Sequence, residues 1–174
     1  MATNIKIIDK DLGWKNIKKQ IRSLNGLKIK IGLWGQGDPD RNLAYRGAVH
    51  QYGARIRITP KMRSFLHIIG IHVKAGTSHI IIPKRPFMSN AFDNGVNKLF
   101  RFIVNEFKKV MQKKQTMKIA IQRIGNFHES QIKREITTGD FEKNHPITIK
   151  RKGSSRPLID KSTMRNGVEF KVEK

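Results

Sequence analysis

The stretch "PKRPFMSNAFDNGVNKLFRFIVNEFKKVMQKK", residues 83–114, has the pattern of a long helix. Pro86 suits the first turn of a helix, and apolar residues then recur at intervals of three or four as far as about Lys113. They form the broad stripe expected of a helix that lies on a sheet. The stripe consists of Phe87, Ala91, Leu99, Phe100, Ile103, Val104, Phe107, Val110 and Met111. The fold is therefore expected to be built around this helix, with Gly95 as its weak point.

Strand patterns lie on both sides of the predicted helix. "LKIKIGLW", residues 27–34, alternates apolar residues with lysines and predicts a half-buried strand. The stretch from Ala54 to Pro83 has the pattern of a hairpin in which Gly76 takes a positive φ angle, or alternatively of a protruding β-arm. "ITIK", residues 147–150, and "VEFKV", residues 168–172, are candidates for short strands.

Three more helices are predicted from apolar residues at helical spacing. Asp11 and Asp40 are candidate N-caps for the first two, and Gly139 is the expected stop of the third. The expected boundaries are Asp11 to Asn25, Asp40 to Gly53 and Met117 to Ile136. A short strand is also expected at Ile5 to Ile8.

Together these elements predict an α+β fold, with a small, mainly antiparallel sheet packed by the long helix and one or two further helices. An extended β-hairpin is expected to project from it. Residues 1–139 are expected to form the core, and residues 140–174 an extended C-terminal arm of the same domain, because Pro, Gly and basic residues interrupt the last segment.

The charge balance is strongly positive. The chain of 174 residues has 36 Lys and Arg against 13 Asp and Glu, which gives a net charge of +23. Such self-repulsion predicts a polyanionic partner, with nucleic acid as the leading candidate. The chain has no cysteine. No apolar run approaches the ~20 residues of a membrane span, so we expect a soluble protein with no membrane partner.

Catalytic patterns are weak, and we expect neither an enzyme nor a bound cofactor or metal. None of the six histidines forms a recognised metal motif, although His67, His72 and His79 could converge across the predicted hairpin. Surface-exposed strand histidines are the favoured interpretation. "GLWGQGDPDR", residues 32–41, follows a strand but lacks the remaining residues of a phosphate-binding loop.

Four basic runs are spread along the chain. One of these runs lies at the C-terminal end of the long helix. Its lysines are expected on the polar side of the helix and are candidates to face DNA: Lys108, Lys109, Lys113 and Lys114. A solvated helix face is the alternative for any one run.

Three stretches of the sequence, taken in their order along the chain, resemble a known protein family. They are "AVHQYGARIRI" (48–58), "IIIPKRPFMSNAFD" (80–93) and "ITIKRKGSSRPLIDKSTMRNGVEFKV" (147–172). In this order and spacing they resemble the tail-completion, or virion-morphogenesis, proteins of tailed bacteriophages, from about Leu27 to the end of the chain. Two departures occur: the family has Glu at the position of Gln51, and Thr-Gly at the position of Lys161 and Ser162.

The resemblance implies a non-enzymatic subunit of the virion neck or tail that is assembled in the host cytoplasm. It implies a ring of six copies, in contact with head-connector and tail proteins, around double-stranded DNA. The residues expected at subunit contacts are Tyr52, Gly53, Pro86, Phe87, Arg151, Lys152, Arg156, Pro157, Leu158 and Ile159. Deletion of residues 140–174 is accordingly expected to leave a folded monomer that cannot join heads to tails. A basic nucleic-acid-binding protein of another class is the alternative.

Overall fold

The computed structural model describes residues 13–34 and 42–174, which contain seven helices and four strands. Their order is α1 (Trp14–Ser23), β1 (Lys28–Leu33), α2 (Leu43–Tyr52), β2 (Ala54–Arg57), α3 (Pro60–Ile68), β3 (His79–Ile82), α4 (Phe87–Met111), α5 (Met117–Thr138), α6 (Pro146–Lys152), α7 (Thr163–Asn166) and β4 (Val168–Glu173). The α+β class is confirmed.

The two long helices, α4 and α5, form the most extensive contact between elements. Both predictions of these helices are confirmed, including the start of α4 after Pro86 and the end of α5 at Gly139. The hydroxyl of Thr116 caps α5 by accepting a hydrogen bond from the backbone N–H of Ile119. Gly95 is buried, and a methyl group there would overlap the amide of Gln131 on α5. It is a site of close packing.

The strands form two separate antiparallel ribbons of two strands each. In the first, β1 pairs with β4, from Lys28 opposite Glu173 to Leu33 opposite Val168. In the second, β2 pairs with β3. The predicted strands at residues 27–34 and 168–172 are therefore confirmed.

The core lies where α4 and α5 meet the β1–β4 ribbon and α7. Its buried members are Leu33, Phe87, Ala91, Ile132, Ile136, Leu158, Met164 and Val168. A second cluster, at the far end of the two long helices, contains Val110, Met117, Ala120 and Ile121. The predicted apolar stripe is wrong at Phe100 and Met111, which are 66% and 46% exposed. α4 packs chiefly on α5, and the ribbon contacts α5 more than α4.

The C-terminal segment folds back onto the long helices, so the prediction of an extended arm is wrong. Val168 is fully buried and Leu158 is 6% exposed, and both belong to the core of their own chain. "ITIK" is helical, because His145 caps α6 and Gly153 ends it in the left-handed conformation, with φ 69°. The segment thus contributes Leu158, Met164 and Val168 to the core, while its other residues are exposed or half-buried.

Residues 54–82 form an excursion that contains a helix. β2 and β3 pair as the predicted hairpin requires, but the first five residues of "SFLHIIGIHV" (64–73) belong to α3. Thr59 caps this helix and Pro60 occupies its first turn, and both features favour a helix where a strand was predicted. Gly76 does not have a positive φ angle; Gly70, beyond the end of α3, has one of 78°.

The remaining predictions concern the N-terminal part of the chain. Asn42 caps α2 by accepting a hydrogen bond from Tyr45 N–H at 3.0 Å. The candidate caps Asp11 and Asp40, and the strand predicted at Ile5 to Ile8, lie outside the described residues.

Candidate functional site

The side chain of Arg85, in the second of the three stretches that carry the resemblance, contacts His50 of the first and reaches Pro157 of the third through Asn144. It is 3% exposed, and it donates to the carbonyl of Glu142 and to Oδ1 of Asn144, both at 3.0 Å. It also contacts Nδ1 of His50 at 3.4 Å. Asn144 in turn donates to the carbonyl of Pro157 at 3.4 Å. Residues far apart in sequence thus meet around one buried cation.

Gln51 holds the entry to α4 next to this arginine. Its side chain is 6% exposed, accepts from the backbone N–H of Met88 at 3.0 Å and donates to Ser89 Oγ at 2.8 Å. Gln51, which stands where the resembling family has Glu, therefore caps a helix of its own chain. It is not available for a contact between subunits. A glutamate could accept the same backbone hydrogen bond.

His50 is a neutral side chain at the edge of this cluster. A guanidinium can only donate, so Nδ1 of His50 accepts from Arg85 and the imidazole proton resides on Nε2. The pKa of His50 is lowered from 6.5 to about 4, first by burial and then by the positive charges of Arg85, Lys152 and Arg46. Several cations thus lie close to one uncharged ring.

A cleft of about 450 Å³ opens beside His50, and we call it the basic cleft. Arg46 and His50, one turn apart on α2, form one wall. α6 contributes Lys152, and the segment that follows contributes Asp160 and Lys161. The floor is apolar and includes Leu158 and Met164. Three cations and one carboxylate therefore line a cavity with an apolar base.

The residues predicted at subunit contacts have very different environments. Tyr52 is 75% exposed and Arg151 and Arg156 are also exposed. Pro86, Lys152, Pro157 and Ile159 are half-buried. The prediction is wrong for Phe87 and Leu158, because both are buried in the core of their own chain.

Two of the predicted contact residues have local structural roles. Gly53 ends α2 with φ 77°, and an added Cβ would lie 3.1 Å from the carbonyl oxygen of Ile82. Lys152 donates to the carbonyls of Arg156 and Pro157, which closes the turn after α6.

Of the lysines predicted to face DNA, Lys109 forms an ion pair with Glu106. This carboxylate is 1% exposed and binds Lys109 at 2.5 Å, Gln115 at 2.8 Å and Arg123 at 3.4 Å. Burial alone would raise the pKa of Glu106, but the hydrogen bonds from Lys109 and Gln115 and the nearby cations lower it overall. Lys109 therefore has a structural partner. Lys108, Lys113 and Lys114 are exposed.

The excursion displays large apolar side chains that the sequence analysis did not single out. Phe65 and Ile68 of α3 are 56% and 80% exposed, and Ile81 of β3 is 75% exposed. Among the described elements, α3, β2 and β3 form no extensive contact outside the excursion. Arg63 holds it together internally by donating to the carbonyls of Val73, Lys74 and Thr77 at 3.1, 3.0 and 2.6 Å.

Of the three histidines that could converge across the predicted hairpin, His67 and His72 are in contact. Nδ1 of His67 lies 2.9 Å from Nδ1 of His72, whereas His79 contacts Ser78. Within residues 13–34 and 42–174, no group of three or more His, Asp or Glu residues is placed to hold a metal ion. In the same ranges, no helix has the length and apolar character needed to cross a membrane.

Comparison of the chain with protein-family models, curated protein sequences and solved structures gave no significant match.

Proposed function

We propose that this chain is a structural subunit of the neck or tail of a tailed bacteriophage, a tail-completion or tail-terminator protein that joins the head connector to the tail. Copies assemble into a ring, of six subunits by the resemblance, and double-stranded DNA passes through its lumen. Neighbouring head-connector and tail proteins are the other partners. The protein belongs to the virion and has no catalytic role.

The single observation that carries this proposal is the exposure of apolar residues on the excursion. Phe65, Ile68 and Ile81 lie on a segment that packs mainly against itself. Exposed apolar side chains that are grouped on one element mark a surface suited to contact with another protein. The excursion therefore suits an element that reaches a neighbouring subunit.

The backbone at Ser162 supports the resemblance separately. This residue occupies the position where the family has Gly, and its φ is 56°. Glycine adopts that conformation without steric cost. The family's residue thus suits the backbone of this chain at a position where the two sequences differ.

Assembly can be tested by sedimentation and negative-stain microscopy of the wild-type protein and of Phe65→Ser/Ile68→Ser. We expect closed rings of about 60 to 100 Å for the wild type, in line with the cyclic symmetry common in homo-oligomers. The variant should sediment as a monomer of 20.1 kDa without losing stability, because both side chains are exposed.

A matched control is Ile119→Ser/Ile147→Ser, which removes two apolar residues that are 45% and 40% exposed on other helices. It should still form rings. A wild-type protein that remains monomeric, both alone and with purified head connectors, would contradict the proposal.

The net charge of +23 favours one alternative, a basic nucleic-acid-binding protein of another class. Such a protein would bind duplex DNA without forming rings. The Phe65→Ser/Ile68→Ser variant would then bind DNA with the same stoichiometry as the wild type, whereas the assembly proposal requires that stoichiometry to fall.

A further inference from the structure

The basic cleft is separate from the apolar contact on which the proposed assembly depends. It lies between α2 and the segment from α6 to α7, whereas Phe65, Ile68 and Ile81 lie on the excursion. Most of its lining residues belong to the first and third of the stretches that carry the resemblance, and Arg46 and Asn144 lie just outside them. His50 and Asn144 of this lining contact the buried Arg85.

The positive charge of the cleft is only partly balanced by the acidic residues that the structure describes. Among the described residues, Arg46, Lys152 and Lys161 form no ion pair within 4.0 Å, and the contacts of Arg85 are with uncharged atoms. Asp160 is the single carboxylate of the lining. Its charge raises the pKa of Lys152, yet burial and Arg85 still lower that pKa overall. A further negative charge would therefore stabilise the cleft.

The cleft also supplies neutral hydrogen-bond donors. His50, whose proton is on Nε2, is one of the lining residues, as are the hydroxyl-bearing residues Thr148 and Thr163. Phosphate oxygens accept hydrogen bonds from groups of both kinds. The cleft thus combines point charges with donors that do not need to change protonation at neutral pH.

We propose that the basic cleft binds a phosphate group, supplied by inorganic phosphate or by a small phosphate ester, with Arg46, Lys152 and Lys161 as its cationic ligands. Three cations against one carboxylate leave an excess of positive charge that suits a dianion better than a single carboxylate. The volume lies within the roughly 300–1,000 Å³ typical of small-molecule sites, so an ester has room over the apolar floor. This inference is independent of ring assembly.

The test is isothermal titration calorimetry at 150 mM NaCl with three probes: inorganic phosphate, adenosine monophosphate and a short DNA duplex. Arg46→Ala/Lys161→Ala removes two exposed cations of the cleft and leaves the turn held by Lys152 intact. We expect this double variant to bind phosphate or the monophosphate at least tenfold more weakly than the wild type. Circular dichroism melting confirms that it is folded.

Lys108→Ala/Lys114→Ala is the matched control, because it removes the same charge from exposed positions outside the cleft. It should bind both small probes like the wild type. Stronger binding of the monophosphate than of phosphate identifies an ester as the ligand, and equal binding identifies the free ion. Equal weakening in both double variants, no binding of either small probe at 10 mM, or binding of the duplex alone would overturn the proposal.

Discussion

Ser162 adopts the left-handed conformation just before α7, with φ 56° and ψ 9°. This conformation costs about 1 kcal/mol for a residue with a Cβ, whereas glycine adopts it without steric cost. The side chain of Ser162 makes no capping hydrogen bond that would compensate. The position is a local weakness in a segment that otherwise contributes Met164 to the core.

We predict that Ser162→Gly increases the free energy of unfolding by about 0.5–1 kcal/mol, since relief of the backbone strain outweighs the entropy that glycine adds to the unfolded chain. Urea denaturation measures the change. Ser155→Gly is the control, because Ser155 is exposed and has no positive φ angle; it should be neutral or slightly destabilising. A decrease in stability for Ser162→Gly would show that the left-handed conformation is not costly here.

His50 makes stability depend on pH. Its pKa is lowered from 6.5 to about 4 in the folded protein, so between these values the unfolded chain binds a proton that the folded protein does not. The contribution of His50 therefore reduces the free energy of unfolding progressively as pH falls from about 6.5 to 4. Above pH 7 both states are neutral at this residue, and the contribution is constant.

We predict that the stability difference between the wild type and His50→Gln is constant above pH 7 and shifts in favour of the variant as pH falls from 6.5 to 4. Glutamine retains an oxygen that can accept from Arg85 but does not titrate. Denaturant midpoints at several pH values measure the effect, and the other titrating groups cancel in the comparison. Parallel pH profiles for the two proteins would contradict the assignment of a neutral, buried His50.

At the scale of elements, the sequence predicted the helices and strands whose periodicity and end residues can be recognised locally. β1, α4 and α5 have regular periods and clear end signals, and all three formed as expected. α3 was missed because Ile68, Ile69 and Ile71, at and just beyond its C-terminal end, favour a strand, although Thr59 and Pro60 mark its start. α6 was missed similarly, because "ITIK" alternates like a strand.

The candidate site depended on contacts that no local pattern shows. The atoms that Arg85 binds belong to residues 35, 57 and 59 positions away. Burial of Leu158 likewise follows from the return of the C-terminal segment to α5, which its basic composition gave no reason to expect. The residues of the three stretches were identified from sequence, but their roles inside one chain were not.

Deletion of residues 140–174 tests the role of the C-terminal segment. We predict that it abolishes cooperative unfolding and soluble expression, because it removes β4 and three core residues, Leu158, Met164 and Val168. Thermal melting followed by circular dichroism reports the loss. Removal of Lys174 alone, which lies beyond β4 and is exposed, should change nothing. A folded, monomeric truncation product would contradict this prediction and support the sequence-based expectation that residues 140–174 are not needed for folding.

At the scale of the whole molecule, positive charge is the dominant property. With 36 cationic side chains, binding to duplex DNA should be nonspecific and should weaken steeply with salt. Lys108 and Lys114 are exposed near the C-terminal end of α4, whereas Lys109 is paired with Glu106. If this end of the molecule faces DNA, those two lysines contribute to the salt dependence.

We predict that Lys108→Ala/Lys114→Ala reduces the slope of log Kobs against log salt by about 2, close to one unit for each lost phosphate contact. Fluorescence anisotropy with a duplex of arbitrary sequence measures it. Lys61→Ala/Lys74→Ala removes two exposed lysines from the excursion and should leave the slope closer to that of the wild type. Identical slopes for the two variants would mean that no single face of the molecule is directed at DNA.

The pairing of β1 with β4 has a consequence for synthesis of the protein. Ile29 lies opposite Val172, so the first ribbon cannot close until residue 172 has left the ribosome. At ~5–20 residues per second, β1 waits on the order of 10 s for its partner. During that interval the apolar sides of β1 and α5 are uncovered, and a prematurely terminated chain would remain in this state. Chaperones and proteases in the cell thus have a defined window in which to recognise unfinished copies.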